Sequence, residues 1–277
     1  MLRAPRFAGF LYPESPSVLR DSIFGLLQKA PFLNFGGPIR AIIVPHSTFR
    51  FSCTTAAMAY GVLASQQQKI RNILLLGPSH RQSFPGIALP AENTFTSPLG
   101  RSPVSQLLRQ TALEIPGISI RTGVHDNEHS LEIQLPYLQL VCPEAEILPM
   151  IIGESPVAVA SEIMEVFSRS QDLLFVISSD FSHYYPYLNA KSLDEDTATR
   201  ILNLDSSLTD NEACGYRWIN GLTHLAKIKG WTARVIDLRN SGDEGGDTER
   251  VVGFGAIVFA DSKLASFRGD SCSNFSS

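Results

Sequence analysis

The stretch "LLFVISSDFSH", residues 173–183, is an unbroken apolar run that stops abruptly and delivers Asp180 and His183 three residues apart. A run without alternation suits a strand buried on both faces, as in a sheet covered by helices. Similar runs recur at "AIIV" (41–44), "NILLLG" (72–77), "GIAL" (86–89), "EILPMII" (146–152), "ARVIDL" (233–238) and "VVGFGAIVFA" (251–260). Between them lie segments of helical character at 15–30, 53–65, 102–115, 129–141, 156–170 and 194–203. The alternation predicts an α/β fold: a single domain with a central, mostly parallel or mixed β-sheet covered by helices on both faces.

No repeat or shift in composition divides the chain, so one domain over residues 1–262 is expected. The tail at 263–277 is polar and aperiodic and is expected to be flexible; its "RGD" is too short to carry meaning. The protein has 277 residues, 44% of them hydrophobic and 18% charged, with a formal net charge of -4. That balance gives no reason to expect nucleic acid or an anionic membrane as a partner. No run reaches the length of a membrane span, and "MLRAPRFAGFLYP" lacks the apolar core of a signal peptide, so a cytoplasmic or nuclear protein is expected. The four cysteines, at 53, 142, 214 and 272, have no C-x-x-C spacing and are expected to be free thiols.

The chemical signal is a recurrence at strand ends. "AIIVPH" reaches His46, "NILLLGPSH" reaches His80, and "LLFVISSDFSH" reaches Asp180 and His183. If the three strands are parallel, their polar residues arrive at one edge of one sheet, where open α/β folds bind ligands. Imidazoles backed by a carboxylate suit a first-row transition metal, and the carboxylate also sets the tautomer of its histidine. In "GVHDNEHSLEIQLPYLQL", His125 and His129 stand four apart, expected at the positive end of a helix that Asp126 or Asn127 caps. Cys214, in "NEACGYRWING", precedes Gly215 at the start of another helix, where the dipole can lower a thiol's pKa.

With "RAPRFAGFLYP", "AIIVPHSTFRFS", "LLLGPSH", "FTSPLG", "DNEHSLEIQLPYL", "ISSDFSHY", "CGYRWI" and "GFGAIVF" in this order, the sequence resembles the Memo family, which is similar in fold to the class III extradiol ring-cleaving dioxygenases. The resemblance implies a metal site of His46, His80 and Cys214, with Asp180 and His183 as an acid/base pair and His129 nearby. It implies iron or copper as the cofactor, zinc as an alternative, and redox chemistry on a small-molecule substrate. It also implies a second reading, a signalling adaptor that binds a peptide or a phosphotyrosine-bearing partner at a vestigial pocket. Arg50 and Arg81 are the basic residues nearest the pocket motifs for such a role. A Cys- or zinc-dependent hydrolase is a third reading. After His46 the family's usual "HAGY" is replaced by "HSTF", so Ser47, Thr48 and Phe49 stand where small residues and a tyrosine are usual.

Overall fold

The computed structural model describes residues 1–262. The tail expected at 263–277, with Cys272 and the RGD sequence, lies outside the described residues. The apolar runs form β2 (Ile39–Val44), β3 (Asn72–Pro78), β8 (Glu146–Ile152) and β9 (Leu173–Ser178), after a short β1 (Leu2–Arg3). Every residue of β2 and β9 is buried, so both faces of the sheet are covered there. The remaining strands are β4 (Ile87–Leu89), β5 (Thr94–Ser97), β6 (Gly100–Pro103), β7 (Ile118–Ile120), β10 (His183–Tyr185), β11 (Thr232–Asn240) and β12 (Val251–Ala260).

The main sheet has the order β10-β12-β2-β9-β3-β8-β4-β7, with β11 paired to β12. Its centre, β2-β9-β3-β8, is parallel. The flanks introduce antiparallel pairs, β12 against β2 and β4 against β8. The expected mixed α/β sheet is therefore observed, and the strands that precede His46, Asp180 and His80 are three parallel neighbours in that order. Their carboxyl ends share one edge.

Among the described residues seven helices flank the sheet: α1 (Pro16–Leu27), α2 (Phe49–Ser65), α3 (Gln106–Leu113), α4 (Leu135–Val141), α5 (Val157–Phe167), α6 (Tyr187–Leu202) and α7 (Tyr216–Lys229). The α2 helix lies against β2, β11 and β12, α6 against β10, β11 and β12, and α5 pairs with α7. No helix among the described residues is long and apolar enough to cross a membrane.

Three expectations about elements differ from what forms. Residues 102 and 103, expected to open a helix, end a hairpin in which β5 pairs antiparallel with β6, making a small second sheet with β1. The helix expected at 194 begins at Tyr187, directly after Pro186. The helix expected from 129 begins later, as a 3-10 turn at Glu132–Gln134 running into α4. Pro136 sits in the first turn of α4, where its fixed φ and missing N–H are tolerated. His125 and His129 therefore stand in a loop, not at a helix start, and Asp126 and Asn127 cap nothing.

Candidate metal centre

Three imidazoles meet at the common strand edge. His46, His80 and His129 each offer a ring nitrogen, and these nitrogens all lie within 4.8 Å of one another. The ring centroids are 5.0 Å apart for His46 and His80, 5.4 Å for His46 and His129, and 4.9 Å for His80 and His129. His46 is buried, His129 is partly buried, and His80 is the most exposed of the three, with 26% of its side chain open to solvent.

Hydrogen bonds settle the tautomers of two of these rings. The Ser178 hydroxyl donates its single proton to the Ser130 carbonyl at 2.6 Å and accepts from the Gln134 side-chain amide at 2.8 Å. Gln134 is itself oriented by donating to the Pro45 carbonyl and accepting from the Tyr60 hydroxyl. His46 Nδ1, 3.1 Å from the Ser178 oxygen, must then be the donor, which leaves the lone pair on Nε2. At His80 the ring Nδ1 donates to Glu128 Oε1 at 2.9 Å, so Nε2 is the nitrogen left to meet a metal, in exchange for any proton it carries. His129 Nδ1 lies 3.4 Å from the same Glu128 oxygen without the alignment of a hydrogen bond, and is buried without a partner.

Glu128 organises this side of the site. Its carboxylate also accepts the His80 main-chain N–H at 2.8 Å and the Ser130 N–H at 3.0 Å. Burial works against its ionisation, but the hydrogen bonds and charge of His80 outweigh it and hold the carboxyl well below the usual range. Burial also disfavours charge on His80, yet Glu128 prevails and its pKa is raised. Arg3 braces the loop behind: it donates to the carbonyls of His125 at 2.7 Å and Glu128 at 3.1 Å and pairs with the buried Glu132 at 2.5 Å. His125 points away from the cluster, its Nε2 against the Ala88 carbonyl.

Asp180 organises the opposite side. It accepts the His46 N–H at 2.8 Å, the Ser47 N–H at 3.3 Å and the Ser47 hydroxyl at 2.6 Å, and lies 3.8 Å from His46 Nε2. Burial opposes its ionisation; the nearby His46 and the Ser47 hydrogen bond outweigh that, so its pKa is lowered. Burial takes His46 down to about 3 despite Asp180, and lowers His129 as well, so both rings are neutral and able to ligate. His183 opens β10, partly buried and edge-on to Tyr184; it makes no side-chain hydrogen bond with Asp180 among the described residues.

Cys214 reaches the site from far along the chain. Its N–H donates to the Asp180 carbonyl at 3.2 Å, and the next N–H, of Gly215, donates to the Ser179 hydroxyl at 2.9 Å. A Cβ at position 215 would stand 2.7 Å from Ser179 Cβ, so this close approach requires glycine. Trp218 adds a bond from its indole to the Gly77 carbonyl, which holds the start of α7 over the end of β3. The Cys214 sulfur is thereby set 3.4 Å from His46 Nε2. Of the two readings open to this thiol, lowered by a helix dipole or buried, the lowering is not found: α7 begins only at Tyr216, and burial, with Asp180 nearby, pushes the thiol up.

The "HSTF" segment is accommodated without left-handed backbone, since Thr48 has φ -48°. Ser47 supplies a hydroxyl to Asp180 that an alanine could not, and Phe49 packs near Tyr137. Glu128, Ser178, Gln134 and Arg3 were not singled out in the sequence. Glu128 had a signal, a carboxylate directly beside His129; the others are visible only after folding.

The donor set fits a transition metal. His46 and His80 have Nε2 left for a metal and His129 has a buried unpartnered nitrogen; the Cys214 sulfur touches His46 but is not among the donors that all lie within 4.8 Å of one another.

Comparison with known proteins adds the family. The sequence matches the family model described as "Memo-like protein" over residues 3–258. A MEMO1 family protein of Thermoplasma acidophilum is 30% identical over 270 residues, covering 93% of this chain and 98% of that protein. One from Nitrosopumilus maritimus is 30% identical over 280 residues, covering 94% and 100%. Among solved structures, the crystal structure of an uncharacterized protein from Escherichia coli K12 covers 79% of this chain and 99% of that one, at 11% identity and a TM-score of 0.49.

Proposed function

We propose, for a chain that belongs to the Memo family, that it binds one redox-active transition metal ion, iron or copper, and uses it in oxidoreductase chemistry on a small molecule. The observation that carries this is the pair of hydrogen bonds in which Ser178 and Glu128 each accept from an Nδ1–H, so that Nε2 is the nitrogen His46 and His80 have left for a metal. His129 supplies a third nitrogen and Cys214 the anionic ligand. A thiolate among neutral imidazoles offsets part of a divalent charge and favours iron, copper or zinc over magnesium or calcium.

The burial that raises the free thiol's pKa is overridden when a cation is present, because a coordinating thiol is deprotonated outright. Iron or copper held here would supply one-electron chemistry. The chain's own residues supply the rest. Glu128 holds the His80 ring and its main-chain N–H, and Asp180 fixes the turn carrying His46. His183, at the rim beyond Asp180, is the candidate to carry a proton between solvent and site.

Anaerobic loading with Fe(II) or copper, followed by exposure to oxygen, tests this reading. One equivalent of metal, with a paramagnetic resonance signal that changes on oxygenation and on adding a reductant, is expected. Loading with zinc alone, and no signal change with iron or copper, would overturn the redox assignment.

A further inference from the structure

Beside the imidazole cluster lies an open hollow of about 400 Å³, lined by His80, Arg81, Glu154, Asp210, Cys214 and Arg217 among others. It reaches the proposed ligands directly through His80 and Cys214, and its size is that of a small-molecule site. Its charges are balanced, two guanidinium groups against two carboxylates.

These four groups are not equally engaged. Arg217, in the first turn of α7, is held in place: its guanidinium lies 4.6 Å from the Tyr216 ring centroid, and its Nε donates to the Ser155 carbonyl at 3.2 Å. Its terminal nitrogens have no hydrogen bond among the described residues and are therefore positioned for a planar, bidentate acceptor. Arg81 likewise has no side-chain partner among the described residues, and its charge bears on His80 and His129. Of the two acids, Glu154 is tied to the Ser83 hydroxyl, whereas Asp210 makes no side-chain hydrogen bond among the described residues and bears on Cys214. The unspent positive charges and the unspent negative charge thus stand around the same opening.

We infer that this hollow binds a small zwitterion of the α-amino-acid type, its carboxylate on Arg81 and Arg217 and its ammonium group on Asp210. Such a ligand would lie across His80 and Cys214. A phosphate dianion suits the hollow less well, because Asp210 and Glu154 would repel it. This names the substrate class of the site proposed above and rests on that reading for the chemistry that follows, though the binding itself does not need a metal.

Calorimetry on the full chain, metal-free and metal-loaded, tests the inference with a panel of the common L-amino acids, their N-acetyl and amide derivatives, and phenyl phosphate. At least one amino acid binds with unit stoichiometry at low millimolar concentration or below. Acetylation or amidation each weakens it about tenfold or more, as loss of a charge-assisted hydrogen bond should. Arg81→Met and Arg217→Met reproduce the effect of amidation, and Asp210→Asn that of acetylation. No heat from any amino acid, tighter binding of phenyl phosphate than of every amino acid, or indifference to the arginine substitutions would overturn it. Metal uptake without amino-acid binding sinks this inference and leaves the metal reading standing; amino-acid binding without metal uptake does the reverse.

Discussion

Glu128 and Asp180 each accept the main-chain N–H of a strand-end histidine at 2.8 Å, His80 for the first and His46 for the second. Beyond that they differ. Glu128 also takes the Nδ1 proton of His80 and so sets that ring's tautomer itself. Asp180 gives its second oxygen to Ser47, and the tautomer of His46 is set by Ser178 instead. One carboxylate thus governs a histidine's ring, while the other governs a histidine's backbone. Removing them should therefore have unlike consequences.

The largest expected effect comes from undoing the brace on the Glu128 side. Arg3→Ala removes the only countercharge paired with the buried Glu132 among the described residues, although the Arg6 and Phe7 N–H groups and the Tyr12 hydroxyl still donate to it, and should cost about 3 kcal/mol of stability, the low end for a broken buried pair. A guanidinium chloride midpoint equal to that of the wild type would show that the brace is idle. Next, Glu128→Gln should weaken metal binding by about 10–100-fold, the usual range for a residue that orients a ligating histidine. Asp180→Asn should weaken it by less, because Ser178 still holds the His46 ring. Reversed ranks in a metal titration would break the comparison.

Acidification of the metal-free protein follows in size. Below the ordinary histidine value of about 6.5, the unfolded chain takes protons at His46 and His125 that the folded chain refuses until about pH 3, so stability falls as pH drops through that window. The lowered carboxyls of Glu128 and Asp180 contribute in the same direction below their ordinary range. His80, with its raised pKa, works the other way, contributing stability that is lost as pH rises through its folded value. A urea midpoint lower at pH 5 than at pH 7 is expected; an equal or higher one contradicts the burial argument. The smallest effect is that of Ser47→Ala, which should cost about 1 kcal/mol by removing one hydrogen bond to Asp180, read from the same denaturation curves.

Much of this architecture is legible in the order of residues. The central strands are readable because burial on both faces leaves no polar residue in β2 beyond Arg40, whose charge lies near Asp261 at the far end of the strand. The meeting of His46, His80 and Asp180 follows once those strands are taken as parallel. What is not legible depends on contacts across the chain. The late start of α4 was signalled by Pro136, but the carboxylate of Glu128 looks like an ordinary first-turn acid until the loop folds it under His80. The hairpin at β5 and β6 was hidden by the serines and prolines that also suit a helix start. Arg217 joins Arg81 from well over a hundred residues away, a juxtaposition that no spacing encodes.

If the three imidazoles and the neighbouring thiol hold one metal ion, as proposed, anaerobic titration with Fe(II) or Cu(I) will distinguish the wild type from four single variants. The wild type should take up one equivalent. His46→Ala and His80→Ala should abolish that binding at micromolar protein, and His129→Ala and Cys214→Ala should each weaken it by about tenfold or more, the measure of a lost donor or orienting group. A wild type that binds no metal, or four variants that bind it as the wild type does, would rule out a shared site.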